Sequence, residues 1–164
     1  MVMTSPEVSH LDIENVGGIL ENHINQIGAQ RVVIDSISHF ARLTQDPVAL
    51  RALEYKFINA LKREGLTSVL TRESPVLLGE AVEGPDSDIG FVVDSYLILR
   101  YVEIESAIRK ALLVLKMRGS NHAKDIRQYD ILEDGLEVQS RFEGQEGILS
   151  GSPRRMAESF VEAF

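Results

Sequence analysis

Helix and strand signals alternate along the first 71 residues, and this alternation limits the fold more than any other feature of the sequence. Residues 31–35 and 67–71 are short runs rich in β-branched side chains, which is typical of buried strands. Asp46 followed by Pro47 predicts the start of a helix between them. An earlier helix is predicted by apolar positions three and four residues apart, at Ile13, Val16, Leu20, Ile24 and Ile27. Because a crossover helix separates the two strands, the sequence predicts a parallel sheet.

The second half of the chain has the signals of antiparallel strands. Residues 72–94 are rich in Gly, Pro and acidic side chains and predict a long loop. Four segments then predict strands joined by short connections, at 95–104, 110–118, 126–132 and 136–139. The predicted fold class is therefore α/β, with parallel strands and crossover helices followed by antiparallel C-terminal strands.

The chain of 164 residues is 44% apolar, which is enough for one domain with a buried core. We expect this domain to span residues 1–155. Met156, Phe160 and Phe164 recur every four residues and predict a short helical tail over 156–164.

The net charge of −8 is unevenly distributed. Residues 109–127 hold six basic side chains and one acid, so this segment carries +5 and the rest of the chain −13. The overall acidity disfavours nucleic acid as a partner, whereas the compact basic segment predicts a site for an anion. The chain contains no Cys, which excludes thiolate chemistry and fits a cytoplasmic location. No apolar run is long enough to predict a membrane span.

Polar side chains follow both predicted parallel strands. Asp35 and Ser36 come directly after the first strand, at the edge of the sheet where α/β proteins bind ligands. An apolar strand that ends in Asp is how many ATPases place a carboxylate near Mg²⁺, but it also fits a strand that ends in an ordinary turn. Thr71 and Glu73 follow the second strand and could sense a phosphate or polarise a water; the alternative is an exposed strand end.

The basic segment contains Lys116-Met117-Arg118-Gly119-Ser120, with His122 close behind. Side chains two residues apart in a strand point to the same face, so Lys116 and Arg118 could together clamp a phosphate. The alternative is a solvated edge strand, because lysines commonly protect such edges. No Gly-Lys dipeptide occurs in these residues, so they contain no phosphate loop of the G-x-x-x-x-G-K-[ST] type.

The chain resembles the KaiC family of RecA-like ATPases, which includes the circadian clock ATPase, over roughly residues 11–155. Four collinear motifs support this: residues 31–36 resemble the Walker B strand, 94–103 the strand after a mobile loop, 116–124 the most specific family motif, and 148–154 the closing segment. The resemblance implies a RecA-like, partial Rossmann-type sheet. It also implies ATP and Mg²⁺ as cofactors, bound weakly or not at all without a partner that supplies a phosphate loop.

The resemblance also assigns site residues. Asp35 would hold Mg²⁺ through water in the chain's own site, with Ser36 beside it, and Glu133 would contact the same nucleotide. The residues that would reach the ATP of a neighbouring subunit are Lys116, Met117, Arg118, Ser120 and His122. A homo-oligomer or a KaiC-like partner follows from this arrangement.

Two departures from the family pattern affect the expected activity. Gly90 and Phe91 stand where the clock ATPase has its autophosphorylated Ser and Thr, so that reaction is not expected. The Walker A region and the paired catalytic Glu residues are absent, so no catalytic residue is assigned. We therefore expect a domain that is non-hydrolytic alone and acts through self-association or a partner ATPase. The alternatives are a fragment of a full-length ATPase and a donor in trans that completes a split site.

The absent Walker A strand also affects the predicted sheet. In this class of ATPases it lies between the strands that residues 67–71 and 95–104 resemble. We expect either that these two strands pair directly or that another chain covers the exposed surface.

Overall fold

The structure, a computed structural model, describes residues 13–74, 89–149 and 153–155. The chain divides into two compact units, Met1–Glu73 and Ser74–Phe164. The predicted single domain over 1–155 remains a prediction, and the predicted tail helix lies outside the described residues, as does most of the 72–94 loop.

The first unit has the predicted order of helices and strands. Its elements are helix α1 (Ile13–Ile27), strand β1 (Arg31–Ile34), a 3₁₀ helix (Ile37–Arg42), helix α2 (Pro47–Arg63) and strand β2 (Thr67–Leu70). Strands β1 and β2 pair in parallel, with Val33 opposite Val69. The Asp46 side chain accepts a hydrogen bond of 2.9 Å from the Val48 amide at the start of α2, which satisfies a backbone donor that the helix itself cannot use. The parallel pair and the helix start are therefore confirmed.

The core of the first unit lies between the helices and one face of the sheet. Four buried side chains form it: Phe40, Phe57, Leu61 and Leu66. The rings of Phe40 and Phe57 meet edge to face, with centroids 5.1 Å apart. Val32, Ile34 and Leu70 on the strands pack against this cluster. The 3₁₀ helix supplies Phe40 and was not predicted, although Ile37, Phe40 and Leu43 recur every three residues, as this helix type requires.

On the other face of the parallel sheet, no described residue of the first unit covers the apolar side chains. Val33 and Val69 are directly opposite each other, and 69% and 56% of their surfaces are exposed. Parallel sheets are ordinarily covered on both faces, so the described residues supply only one of the two layers that this sheet requires.

The second unit is an antiparallel sheet in the order β3-β4-β5-β6. Its strands are β3 (Ser95–Ile104), β4 (Ala107–Met117), β5 (Arg127–Leu132) and β6 (Gly135–Arg141), followed by a short pair, β7 (Gln145–Glu146) and β8 (Arg154–Arg155). Strand β4 begins before the predicted residue 110, because Glu105 and Ser106 form a two-residue turn with φ of 52° and 61°. Strand β6 is longer than the predicted 136–139.

Among the described residues, one buried cluster lies on one face of the antiparallel sheet. Val102, Ile104, Ala111 and Ile148 form it, and Arg100 Nη1 donates a hydrogen bond of 2.8 Å to the Leu149 carbonyl. The strand register places a second set of apolar side chains on the opposite face. Those that are exposed there are Leu97, Leu99, Tyr101, Ile108, Ile131, Leu136 and Val138.

Direct pairing of the two strands that would flank the absent Walker A strand remains a prediction, because the two strands belong to different units of the chain. Here β2 is hydrogen-bonded to β1, and β3 to β4. Among the described residues there is no helix that is long and apolar enough to cross a membrane.

Phe57 tests the core of the first unit. Phe57→Leu loses the edge-to-face contact with Phe40 and leaves a small cavity, so the free energy of unfolding should fall by about 1–2 kcal/mol. Urea denaturation followed by circular dichroism measures it. Tyr55→Leu is the control, because Tyr55 is exposed on the same helix. Equal losses in the two variants would contradict this core.

Tyr129 tests the antiparallel sheet through its pH dependence. Burial, with Tyr101 as a second cause, raises the pKa of the Tyr129 phenol. The native state therefore holds this proton more tightly than the unfolded chain, whose tyrosine pKa is about 10. The resulting stability is complete below that value and is lost as pH rises through the raised pKa. Tyr129→Phe should remove this part of the decline in urea midpoint above pH 10, and a decline as steep as that of the wild-type chain would contradict the burial of Tyr129.

Candidate functional site

The first group of site residues lies at the carboxyl ends of the two parallel strands. Asp35 follows β1 and Thr71 follows β2, and the Thr71 Oγ1 hydroxyl donates a hydrogen bond to Asp35 Oδ1. The backbone holds them there, because the Thr71 amide donates to the Ile34 carbonyl and the Ile37 amide to the Thr71 carbonyl, both at 3.0 Å. The structure thus brings together two predicted site residues that are 36 positions apart in the chain.

Glu73 is held beside this pair through its backbone. Its amide donates a hydrogen bond of 2.9 Å to Ser38 Oγ, and its side chain remains exposed. Arg72 lies between Thr71 and Glu73 in the chain. Its Nη1 atom is 3.9 Å from the carboxylate of Glu54, a residue on α2 that is only 4% exposed. Sequence reasoning missed Glu54. Its signal is an acid within the apolar stripe of α2, next to Leu53 and three residues before Phe57.

Ser36 is less accessible than its neighbour Asp35. It is 6% exposed, and its Oγ atom has no hydrogen-bond partner among the described residues. The Asp35–Ser36 peptide bond is cis. Asp35 itself is exposed, so its carboxylate can be reached by a ligand, whereas the Ser36 hydroxyl faces the interior of the first unit.

The residues present fit a magnesium ion held mainly by phosphate and water. The described residues contain no group of three or more His, Asp or Glu side chains that could hold a metal alone. Mg²⁺ in phosphate sites typically takes one or two carboxylates and completes its shell with phosphate oxygens and water. Asp35 meets this requirement, because Thr71 engages one carboxylate oxygen and the other can accept from a metal-bound water.

The second group lies where β4 ends. Lys116 Nζ donates hydrogen bonds to the carbonyls of Gly90, at 2.5 Å, and Val93, at 2.9 Å. Arg118 Nη2 donates to the Phe91 carbonyl, and Arg118 Nη1 lies 3.5 Å from the Asp94 carboxylate. Both cations therefore contact one turn, residues 89–94, which directly precedes β3.

The rest of the predicted phosphate-contact segment follows in an open turn. Gly119 has φ of +74°, in the left-handed region that favours glycine. Met117 and Ser120 are exposed, and His122 is half-buried, with its amide donating to Asn121 Oδ1 at 3.1 Å. The role of Met117, Ser120 and His122 in contacting a phosphate remains a prediction.

Glu133 lies at the opposite end of the antiparallel sheet. Leu112 on β4 pairs with Arg127 on β5, and the two strands run in opposite directions. Lys116 lies four residues past this pair along β4. Glu133 lies six residues past it in the direction of β5, which is toward the other end of the sheet. At about 3.3 Å per residue this separates the two by about 30 Å along the strands. Within one chain, Glu133 and Lys116 therefore cannot contact the same phosphate.

Comparison with known proteins decides the family. A family model described as the KaiC ATPase matches residues 2–143. The chain belongs to the KaiC ATPase family. The resemblance inferred from its motifs is thus confirmed, and the parallel sheet with helices and the antiparallel sheet are those of an α/β, RecA-like KaiC domain.

Individual KaiC relatives match nearly all of the chain but only part of their own length. Circadian clock protein KaiC3 of a Synechocystis species is 34% identical over 162 residues, which is 99% of this chain and 31% of that protein. The circadian clock oscillator protein KaiC of a Nostoc species is 36% identical over 157 residues, which is 96% of this chain and 30% of that protein. The chain thus spans under a third of the length of these relatives.

Thr71 tests the strand-end pair of this KaiC-family chain. Thr71→Val removes the hydroxyl that donates to Asp35 while keeping the side-chain shape, so the free energy of unfolding should fall by about 1 kcal/mol. Thr71→Ser should retain most of that stability. Thr67→Val makes the same change at the exposed start of β2 and is the control. Similar urea midpoints for Thr71→Val and Thr67→Val would contradict a stabilising role of this hydrogen bond.

Proposed function

We propose that this chain supplies two parts of a KaiC-type ATP site: a magnesium-binding carboxylate for one nucleotide and phosphate-binding cations for the nucleotide of a neighbouring subunit. The observation that carries the proposal is the Asp35–Thr71 pair at the carboxyl ends of two parallel strands in a KaiC-family chain. This is the edge at which α/β sheets bind their ligands.

Asp35 takes the magnesium role in this proposal. One oxygen of its carboxylate accepts a hydrogen bond from Thr71, and the other oxygen would hold the ion through a water. When bound, the ion would neutralise charge on the phosphates. Thr71 acts as a positioning residue, Ser36 lies beside Asp35, and Glu73 is held at the same strand end, where it could orient a water.

The cations of the second unit serve the neighbouring subunit. Lys116 offers a mobile point charge, and Arg118 offers a planar pair of donors that matches phosphate oxygens. Met117, Ser120 and His122 continue the same surface. The separation of about 30 Å along the strands between Lys116 and Glu133 supports two different nucleotides, one for each end of the sheet.

Hydrolysis requires positioned phosphates, a metal and an oriented water together. The 164 residues contain no phosphate loop, so in this proposal that loop comes from residues outside them, on a KaiC-type partner. The chain alone then binds ATP and Mg²⁺ weakly and does not turn ATP over.

Association with a partner is supported by the uncovered sheet faces. Val33 and Val69 on one sheet, and Leu97 and Leu99 on the other, are exposed apolar side chains. Burying apolar surface is the main favourable term in protein association. A KaiC-type subunit, either a second copy of this chain or a phosphate-loop relative, is the proposed partner.

Lys116 tests the function in trans. The full chain is mixed with a KaiC-family protein that carries an intact phosphate loop and whose own cations at the matching positions are replaced. ATP turnover should appear on mixing, and Lys116→Met in this chain should lower it by about 10²–10³-fold, the effect typical of a phosphate-stabilising cation. Lys110→Met is the control, because the Lys110 side chain lies on the same strand and makes no hydrogen bond or ion pair within the described part of the chain.

Two results would contradict the proposal. Turnover that depends on the chain but not on Lys116 would mean that the chain acts as a scaffold rather than as a donor of cations. Tight binding of ATP and Mg²⁺ by the chain alone, measured by calorimetry, would mean that its site does not require an external phosphate loop.

A further inference from the structure

We infer that Lys116 and Arg118 form an anion-sensitive latch on the turn at residues 89–94: they hold this turn while no phosphate is bound and release it when they bind one. This inference rests on the proposed function, because it assumes that the same two cations meet a neighbour's phosphates. It adds a consequence for the chain itself, namely that phosphate binding changes the conformation of the segment entering β3.

The latch consists of donors at the end of β4 (Lys116) and just beyond it (Arg118), and of acceptors on the turn. Lys116 Nζ donates to the Gly90 and Val93 carbonyls, and Arg118 Nη2 donates to the Phe91 carbonyl. The Arg118 amide donates to the Asp94 carbonyl at 2.8 Å, and its Nη1 atom lies near the Asp94 carboxylate. Two adjacent cations thus hold the turn through three carbonyl oxygens and one carboxylate.

The same donor atoms are the ones a phosphate requires. A paired contact between Arg118 and two phosphate oxygens uses Nη1 and Nη2, or one of these with Nε, and both Nη atoms are engaged with the turn here. Lys116 has three N–H donors, and at least two of them are directed to carbonyls. The turn does not use every N–H group of these two side chains, so phosphate competes with the turn by drawing the two side chains away from the carbonyls rather than by exhausting their donors.

Charge decides this competition. A carbonyl oxygen is a neutral dipole, whereas a polyphosphate carries full negative charges, so at the same distance it attracts the two cations more strongly than the carbonyls do. Asp94 is the one charged acceptor on the turn, and it is exposed, so solvent weakens its attraction to Arg118. A polyphosphate in reach of both cations should displace the turn from them.

The rest of the turn is built to open locally. Ile89 and Val92 are buried and anchor it, and the amides of Val92 and Val93 donate to the Ile89 carbonyl at 2.9 and 3.2 Å. Between these anchors, Gly90 has no side chain, and Phe91 is 64% exposed. When the cations leave, the turn loses the hydrogen bonds to its carbonyls but keeps the buried side chains of Ile89 and Val92. The turn therefore opens more often while the sheet stays folded.

Amide hydrogen exchange of the full chain tests the holding contacts without nucleotide or partner. In Lys116→Met and Arg118→Met, exchange at Val92 and Val93 should be about tenfold faster than in the wild-type chain, since a charged hydrogen bond is lost in each. Lys110→Met should not change it. Amides in the middle of β4, such as those of Leu112 and Leu113, report whether a variant still folds. Unchanged exchange at Val92 and Val93 in both variants would overturn the latch.

The second arm tests competition with inorganic tripolyphosphate, using sodium chloride of equal ionic strength as its control. Tripolyphosphate should accelerate exchange at Val92 and Val93 in the wild-type chain and have no such effect in Lys116→Met. If NMR shifts show tripolyphosphate bound at Lys116 and Arg118 while the turn amides remain protected, the latch is wrong and the proposed function stands. If tripolyphosphate loosens the turn but turnover in trans is independent of Lys116, the proposed function fails and the latch stands.

Discussion

Parallel pairing of β1 and β2 is the interaction on which the candidate site depends. Because both strands run in the same direction, their carboxyl ends meet at one edge, and Asp35 lies within hydrogen-bond distance of Thr71. The crossover helix α2 makes this direction possible, and its N-cap at Asp46 and its buried residue Phe57 fix where the helix begins and which side it packs on. The carboxylate of Asp35, the proposed magnesium ligand, is thus positioned by backbone geometry.

The second unit uses a different principle. Its cations are not preorganised around an empty anion site but are engaged with backbone carbonyls of residues 90, 91 and 93. Burying a charged group away from water costs free energy unless the group is hydrogen-bonded. Because the carbonyls accept hydrogen bonds from Lys116 and Arg118, this cost is lower than it would be for unpaired cations at the same place. The same arrangement makes these residues responsive, because a stronger acceptor can replace a weaker one.

Local sequence patterns predicted the secondary structure well, and the reasons are physical. Side-chain periodicity, an Asp-Pro helix start and short turns are properties of neighbouring residues, so α1, α2 and all four strands of the antiparallel sheet could be anticipated. The 3₁₀ helix was missed because three apolar residues spaced by three are compatible with several conformations. Long-range partners were also missed: the carbonyl acceptors of Lys116 have no sequence signature, and Glu54 is one acid among many until the fold buries it beside Arg72. For the site, sequence patterns suggested candidate residues, whose roles stay predictions, but not the hydrogen-bond partners of those residues.

The uncovered face of the antiparallel sheet carries its own optical reporter. The chain has four tyrosines and no tryptophan, so its near-ultraviolet emission comes from tyrosine alone. Tyr101 is exposed on the apolar face, close enough to Tyr129 on the same face to contribute to the raised pKa of Tyr129. A partner that binds this surface will therefore exclude water from around Tyr101 and change the intensity of its fluorescence. Assembly can then be followed without attaching a dye to the protein.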